Sequence, residues 1–147
     1  MKNFLIAPTV IAMMISGTAL AGETPSAKNA TQYIVNIEDG DIVSSPVKVI
    51  FGLSGMGVAP AGVEKELTGH HHILLNRSAF GKGEDGVEEF EFNLPADEQH
   101  IHFGKGQTEA TLDLEPGQHT IQLVLGDNNH IPHNPPVYSE VITINVQ

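Results

Sequence analysis

The sequence predicts an all-β protein, an immunoglobulin-like β-sandwich of about seven antiparallel strands. Short segments of alternating polarity recur along the chain, and Gly, Pro, Asn and Asp separate them. No long stretch has sustained helical periodicity. Seven such segments in roughly a hundred residues are typical of this sandwich. The predicted strands are 32–37, 47–54, 70–75, 88–94, 109–114, 119–126 and 137–146.

The alternation within four of these strands predicts which side chains face the core, because successive residues of a strand point to opposite faces. The expected inward residues are Val47, Val49, Phe51 and Leu53 in the second strand, Phe90, Phe92 and Leu94 in the fourth, Ile121, Leu123 and Leu125 in the sixth, and Ile142, Ile144 and Val146 in the seventh.

The first 21 residues have the features of a cleaved signal peptide. A basic residue, Lys2, precedes a short apolar stretch, and a small-residue cleavage site ends at Ala21. We therefore expect residues 1–21 to be removed and residues 22–31 to form a flexible leader. Residues 32–147 should form a single sandwich domain of a periplasmic or secreted protein, with no membrane span in the mature form.

The composition excludes several classes of function. The chain has no cysteine, so disulfides, thiolate metal ligands and cysteine nucleophiles are impossible. Eighteen acidic residues against seven basic ones give a net charge of −11. A single arginine, Arg77, and scattered lysines argue against nucleic acid as a partner. A strongly negative protein attracts cations instead.

Seven of the eight histidines are predicted to gather at one end of the sandwich. The chain alternates ends, so the connections that follow the second, fourth and sixth predicted strands lie together. The eighth, His119, lies at the other end, where its ring is expected to bond nearby backbone. His71 alternates away from its two neighbours and is expected to be a core residue. The predicted metal-site residues are His70, His72, His100, His102, Asp127, His130 and His133.

Copper(II) and zinc are the ions expected at such a site. Imidazole nitrogens bind zinc at about 2.0–2.1 Å, and copper(II) and nickel also accept histidine and carboxylate ligands. Asp127 is expected to bind the ion or to orient a ring. Met56 is the one methionine outside the signal peptide, which argues against a thioether-rich copper(I) carrier.

Two alternatives to a metal site follow from the same residues. The histidines and Asp127 could form a structural hydrogen-bond network that fixes the proline-rich segment HIPHNPPV. The domain could also be a non-enzymatic envelope module that presents loops to a protein or a glycan. The chain has neither a GxSxG turn nor a helical HExxH motif, so it is not expected to be an enzyme. Metal-assisted hydrolysis is the minority alternative.

Three motifs resemble those of a family of exported bacterial domains of unknown function. They are GHHHILL, HFGKGQTE and PGQHTIQLVLGDNNHIPHNPPV. The resemblance covers residues 47–146. It implies export and an all-β fold, and it implies no activity.

Overall fold

The computed structural model describes residues 22–147, so the predicted signal peptide lies outside the described residues. The described chain contains one short 3₁₀-helix, Gly86–Phe90. Its strands are β1 (Thr31–Ile34), β2 (Ile42–Val43), β3 (Val47–Ser54), β4 (Gly57–Val58), β5 (Thr68–Leu75), β6 (His100–His102), β7 (Glu109–Leu112), β8 (Gly117–Gly126) and β9 (Ile142–Val146). No helix in this part of the chain is long and apolar enough to cross a membrane.

The strands form two sheets that pack into an immunoglobulin-like sandwich. The smaller sheet has the order β1-β3-β7, and the larger has the order β2-β9-β8-β5-β4, with β6 also paired to β5. β5 is therefore central, with antiparallel β8 on one side and both β4 and β6 on the other. The predicted fold class and the antiparallel pairing of the third and sixth predicted strands are confirmed.

The main core lies between the two sheets. Val49 and Phe51 of β3 pack with Ile121 and Leu123 of β8 in one buried apolar cluster. Full burial of an aliphatic side chain contributes about 1.5–3 kcal/mol, so this layer is a large source of stability. These inward faces are the ones that the alternation predicts.

The fourth predicted strand is wrong. Residues 88–94 comprise the end of the 3₁₀-helix and an irregular segment. The Glu89 carboxylate accepts hydrogen bonds from the Arg77 side chain and from the amide of Gly81, so the segment folds back on its own loop and pairs with no strand. Phe92, predicted to face the core, is 63% exposed.

The loop between β5 and β6 covers the outer face of the larger sheet. Leu74 and Val124 point outward from β5 and β8 and pack against Phe80, Phe90 and Leu94 in a second apolar cluster. This part of β5 and β8 is therefore buried on both faces, and polar groups on its outer face are shielded from solvent.

Within the segment predicted to be a flexible leader, residues 24–26 pair with the loop between β8 and β9. The Asn134 amide donates to the Thr24 carbonyl at 2.9 Å, and the Ser26 amide donates to the Asn134 carbonyl at 3.1 Å. The seventh predicted strand is also shorter than expected, because β9 begins at Ile142. Leader backbone groups thus find partners in the loop between β8 and β9.

Candidate metal centre

The alternation of β5 separates its three consecutive histidines. His71 points toward the main core with Ile73, whereas His70 and His72 point to the outer face with Leu74. All three imidazole side chains are fully buried.

His71 is a core residue, as its place in the alternation predicts. Its ring packs on Phe51 with centroids 5.1 Å apart. The Gln32 side-chain amide lies 2.7 Å from His71 Nδ1 and donates to it. Burial away from water lowers the pKa of His71 from 6.5 to about 4. This ring is neutral at neutral pH and faces away from the other histidines of β5.

Four imidazoles pack against one another on the outer face, and we call them the histidine cluster: His70, His72, His102 and His130. Their ring centroids lie 4.6–5.9 Å apart in every pair. One nitrogen from each of His70, His102 and His130 lies within 4.8 Å of the other two. His72 is in ring contact with this set of three.

Strand pairing and one tight turn bring the four rings together. β6 pairs with β5 so that His102 lies opposite His72. His130 follows β8, the other neighbour of β5, in a turn where its φ is 68°. The cluster therefore combines two adjacent strands with the turn that follows a third.

Two glycines make room for the rings. A Cβ at Gly126 would lie 2.7 Å from His72 Cε1 and 3.3 Å from His130 Cα. A Cβ at Gly104 would overlap the His102 ring. Both positions therefore need a residue without a side chain for the histidines to keep these places.

Five buried nitrogens of the cluster have no hydrogen-bond partner among the described residues. They are both ring nitrogens of His70, both of His72 and Nε2 of His102. An unpaired buried polar atom costs about 1–3 kcal/mol, and native proteins keep such atoms few. A ligand that engages these nitrogens would remove much of that cost.

The environment also favours the unprotonated form of three of the rings, those of His70, His72 and His102. Burial, followed by repulsion from the neighbouring histidines, lowers the pKa of His72 to about 2 and that of His70 to about 4. Burial and His130 lower the pKa of His102 as well. Metal coordination needs the neutral ring, so these three histidines are in the form that binds a cation at neutral pH.

The donor set suits a transition metal after a small contraction. Nitrogens at about 2.0–2.1 Å from one ion lie about 3.3 Å apart in tetrahedral geometry and at most about 4.2 Å apart in any geometry. The three converging nitrogens lie within 4.8 Å, so side-chain movements on the order of 1 Å would bring them into range. Neutral imidazoles are ligands that copper(II) and zinc accept.

Three of the predicted metal-site residues do not join the cluster. His100 is held between Asp97, at 2.8 Å from Nδ1, and the Arg77 guanidinium. His133 is buried with Nε2 3.1 Å from the Thr68 carbonyl, to which it donates.

Asp127 is the third of these residues, and its carboxylate is already engaged. One oxygen accepts the amides of Asn129 and Ile131, and the other accepts the hydroxyl of Thr24. Its negative charge still acts on His70, where it offsets part of the lowering of the pKa. Of the seven histidines expected at one end of the sandwich, four have rings that contact one another.

His119 lies outside the cluster and bonds nearby backbone, as expected. Its Nε2 donates to the Glu115 carbonyl at 2.8 Å, and its Nδ1 accepts from the Asn76 amide at 2.9 Å. Sequence reasoning missed Gly104, Gly126 and Thr24. The sequence had a signal for the two glycines. Gly104 lies two residues after His102, and Gly126 lies opposite His70 in the β5–β8 pairing. For Thr24 the sequence has no signal.

Comparison with known proteins finds a matching family and a solved structure with low similarity to this chain. The model of the family described as "Domain of unknown function (DUF4399)" matches residues 49–147. No curated protein matches the chain. A solution structure of the PKD domain from human KIAA0319 is similar at 14% identity and a TM-score of 0.39, over 89% of this chain and 92% of that one.

Proposed function

We propose that this chain, which belongs to the DUF4399 family of domains of unknown function, is a periplasmic protein that binds copper(II) or zinc in the histidine cluster. The observation that carries the proposal is the convergence of four imidazoles that together hold five unpaired buried nitrogens. A cation shared by several of these nitrogens satisfies them at once, which no single protein donor in the site does.

The pattern of hydrogen bonds favours metal binding over a purely structural network. His100, His119 and His133 each have protein partners for their ring nitrogens. By contrast, His70 and His72 have no side-chain hydrogen bond to any described residue. The histidines that serve as structural hydrogen-bonding groups are therefore different residues from those in the cluster.

Access to the site and its charge also agree with the binding of a cation. His70 and His72 are fully buried, whereas His102 and His130 are partly exposed and offer a path for an ion. The net charge of −11 favours the approach of a cation and disfavours that of an anion.

Binding without catalysis fits the site better than metal-assisted hydrolysis. The nearest buried carboxylate, Asp127, already accepts three hydrogen bonds and is not free to act as a general base. A largely buried site of imidazole ligands suits an ion that is stored, delivered or used to stabilise the fold.

Elemental analysis and calorimetric titration with zinc and copper(II) test the proposal. We expect one tightly bound ion per chain. The double variant His102→Gln/His130→Gln, which alters the two partly exposed rings, should lose that ion. The matched control His100→Gln should keep it, because His100 lies outside the cluster. Equal stoichiometry for the unmodified and double-variant proteins would refute metal binding at the cluster. The absence of any bound ion would leave the envelope module as the better description.

A further inference from the structure

Residues 22–26, here called the N-terminal strap, pair with the loop that follows β8. Pro25 and Asn134 form a parallel β-bridge, and two backbone hydrogen bonds flank it. The Ser26 hydroxyl adds a bond to the Pro135 carbonyl at 2.7 Å. The strap thus lies directly against the segment that contains His130.

One hydroxyl of the strap binds the carboxylate that organises this segment. Thr24 Oγ1 donates to Asp127 Oδ2 at 2.6 Å, although the two residues are 103 positions apart in sequence. Asp127 Oδ1 accepts the amide of Asn129 at 2.8 Å and that of Ile131 at 2.9 Å. Asp127 is only 3% exposed, so water competes little for these bonds.

The carboxylate fixes the backbone on both sides of His130. The amides of Asn129 and Ile131, which flank His130, bind the same oxygen of Asp127. His130 has a φ of 68°, a conformation disfavoured for any residue with a Cβ, so its surroundings must hold it there. In that conformation its ring centroid lies 4.6 Å from that of His102.

We propose that Thr24 is a positioning residue, which acts through Asp127 to hold His130 in the place where it completes the metal site. This inference rests on the proposed function. Groups that orient metal ligands typically change affinity about 10- to 100-fold when they are removed. The start of the described chain would therefore determine how tightly a site in the distant loops binds its ion.

Substitution of Thr24 tests the inference through zinc affinity. Thr24→Val removes the hydroxyl and keeps the shape, and it should weaken zinc binding about 10-fold or more. Thr24→Ser keeps the hydroxyl and should restore the affinity. Ser26→Ala is the matched control, since it removes a strap hydroxyl that does not reach Asp127, and its zinc affinity should equal that of the unmodified protein.

Amide hydrogen exchange in the metal-free protein tests the same contact independently of metal binding. In the Thr24→Val variant, the backbone amide hydrogens of Asn129 and Ile131 should exchange faster than in the unmodified protein. In the Ser26→Ala variant, their exchange rates should not change. Unchanged exchange in Thr24→Val, or an equal loss of zinc affinity in Ser26→Ala, would overturn the inference. If the unmodified protein binds no zinc, the proposed function fails, and the exchange data alone decide whether Thr24 positions His130.

Discussion

Replacement of His70 by leucine should stabilise the metal-free protein and abolish its stabilisation by zinc. His70 is fully buried, and neither of its ring nitrogens has a hydrogen-bond partner among the described residues. Leucine is similar in size and carries no polar side-chain atom. The substitution therefore removes two unpaired polar atoms from the interior and one ligand from the metal site.

The expected magnitude follows from two opposing effects. Removal of two unpaired nitrogens should raise the free energy of unfolding by about 2–6 kcal/mol. Imperfect packing of a branched chain among three imidazoles should lower it by about 1–3 kcal/mol. The midpoints of the two ranges give a net gain of about 2 kcal/mol without metal, within limits of about −1 and +5 kcal/mol. Zinc at about 1,000 times its Kd should add about 4 kcal/mol to the unmodified protein and almost nothing to the variant, so the order of stability reverses.

Urea unfolding at pH 7.5, followed by circular dichroism with chelator and then with excess zinc, measures both effects. His119→Leu is the control, because His119 lies outside the cluster and bonds Asn76 and the Glu115 carbonyl. It should lose about 1 kcal/mol with chelator and keep the full increment from zinc. The reasoning is refuted if His70→Leu is less stable than the unmodified protein with chelator and still gains stability from zinc.

Three further outcomes are expected. Without metal, the free energy of unfolding should fall as the pH drops from about 6.5 toward 4, because the histidines of the unfolded chain take up protons that the buried rings do not. His71, with its pKa near 4, should alone account for about 2 kcal/mol of this loss between pH 7.5 and pH 5. Urea unfolding at both pH values measures this, and His71→Phe should reduce the difference. Gly126→Ala forces a Cβ to within 2.7 Å of His72 and should cost about 1–3 kcal/mol and weaken zinc binding, and an unchanged calorimetric affinity would contradict it. Arg77→Gln leaves the partly buried Glu89 carboxylate without its cation and should cost about 1–3 kcal/mol in urea unfolding, yet zinc affinity should not change.

Strand alternation in the sequence predicts most of the sandwich. Val49 and Phe51, or Ile121 and Leu123, share a face in a two-residue period, and burial of those faces fixes the register. The segment around Phe90 and Phe92 has the same period and forms no strand. Alternation records which side chains could share a face, whereas strand formation also needs a partner for the backbone.

The sequence also predicts part of the candidate site. The pairing of the third and sixth predicted strands places His70 and His72 near the turn with His130, and the structure agrees with that placement. His100 and His133 could not be separated from the cluster in advance. Their rings bond Arg77, Asp97 and the Thr68 carbonyl, contacts that depend on the paths of long loops, and short-range periodicity does not encode those paths.

The interleaving of two kinds of residue along β5 makes this strand sensitive to insertion and deletion. Odd and even positions of β5 face opposite sides of the sheet: His71 and Ile73 lie in the main core, and His70 and His72 lie in the histidine cluster. A shift of one residue would exchange the two sets and place His70 and His72 in the main core and Ile73 on the outer face. Length variation among relatives should therefore be tolerated in the loop that follows β5 and be rare within the strand.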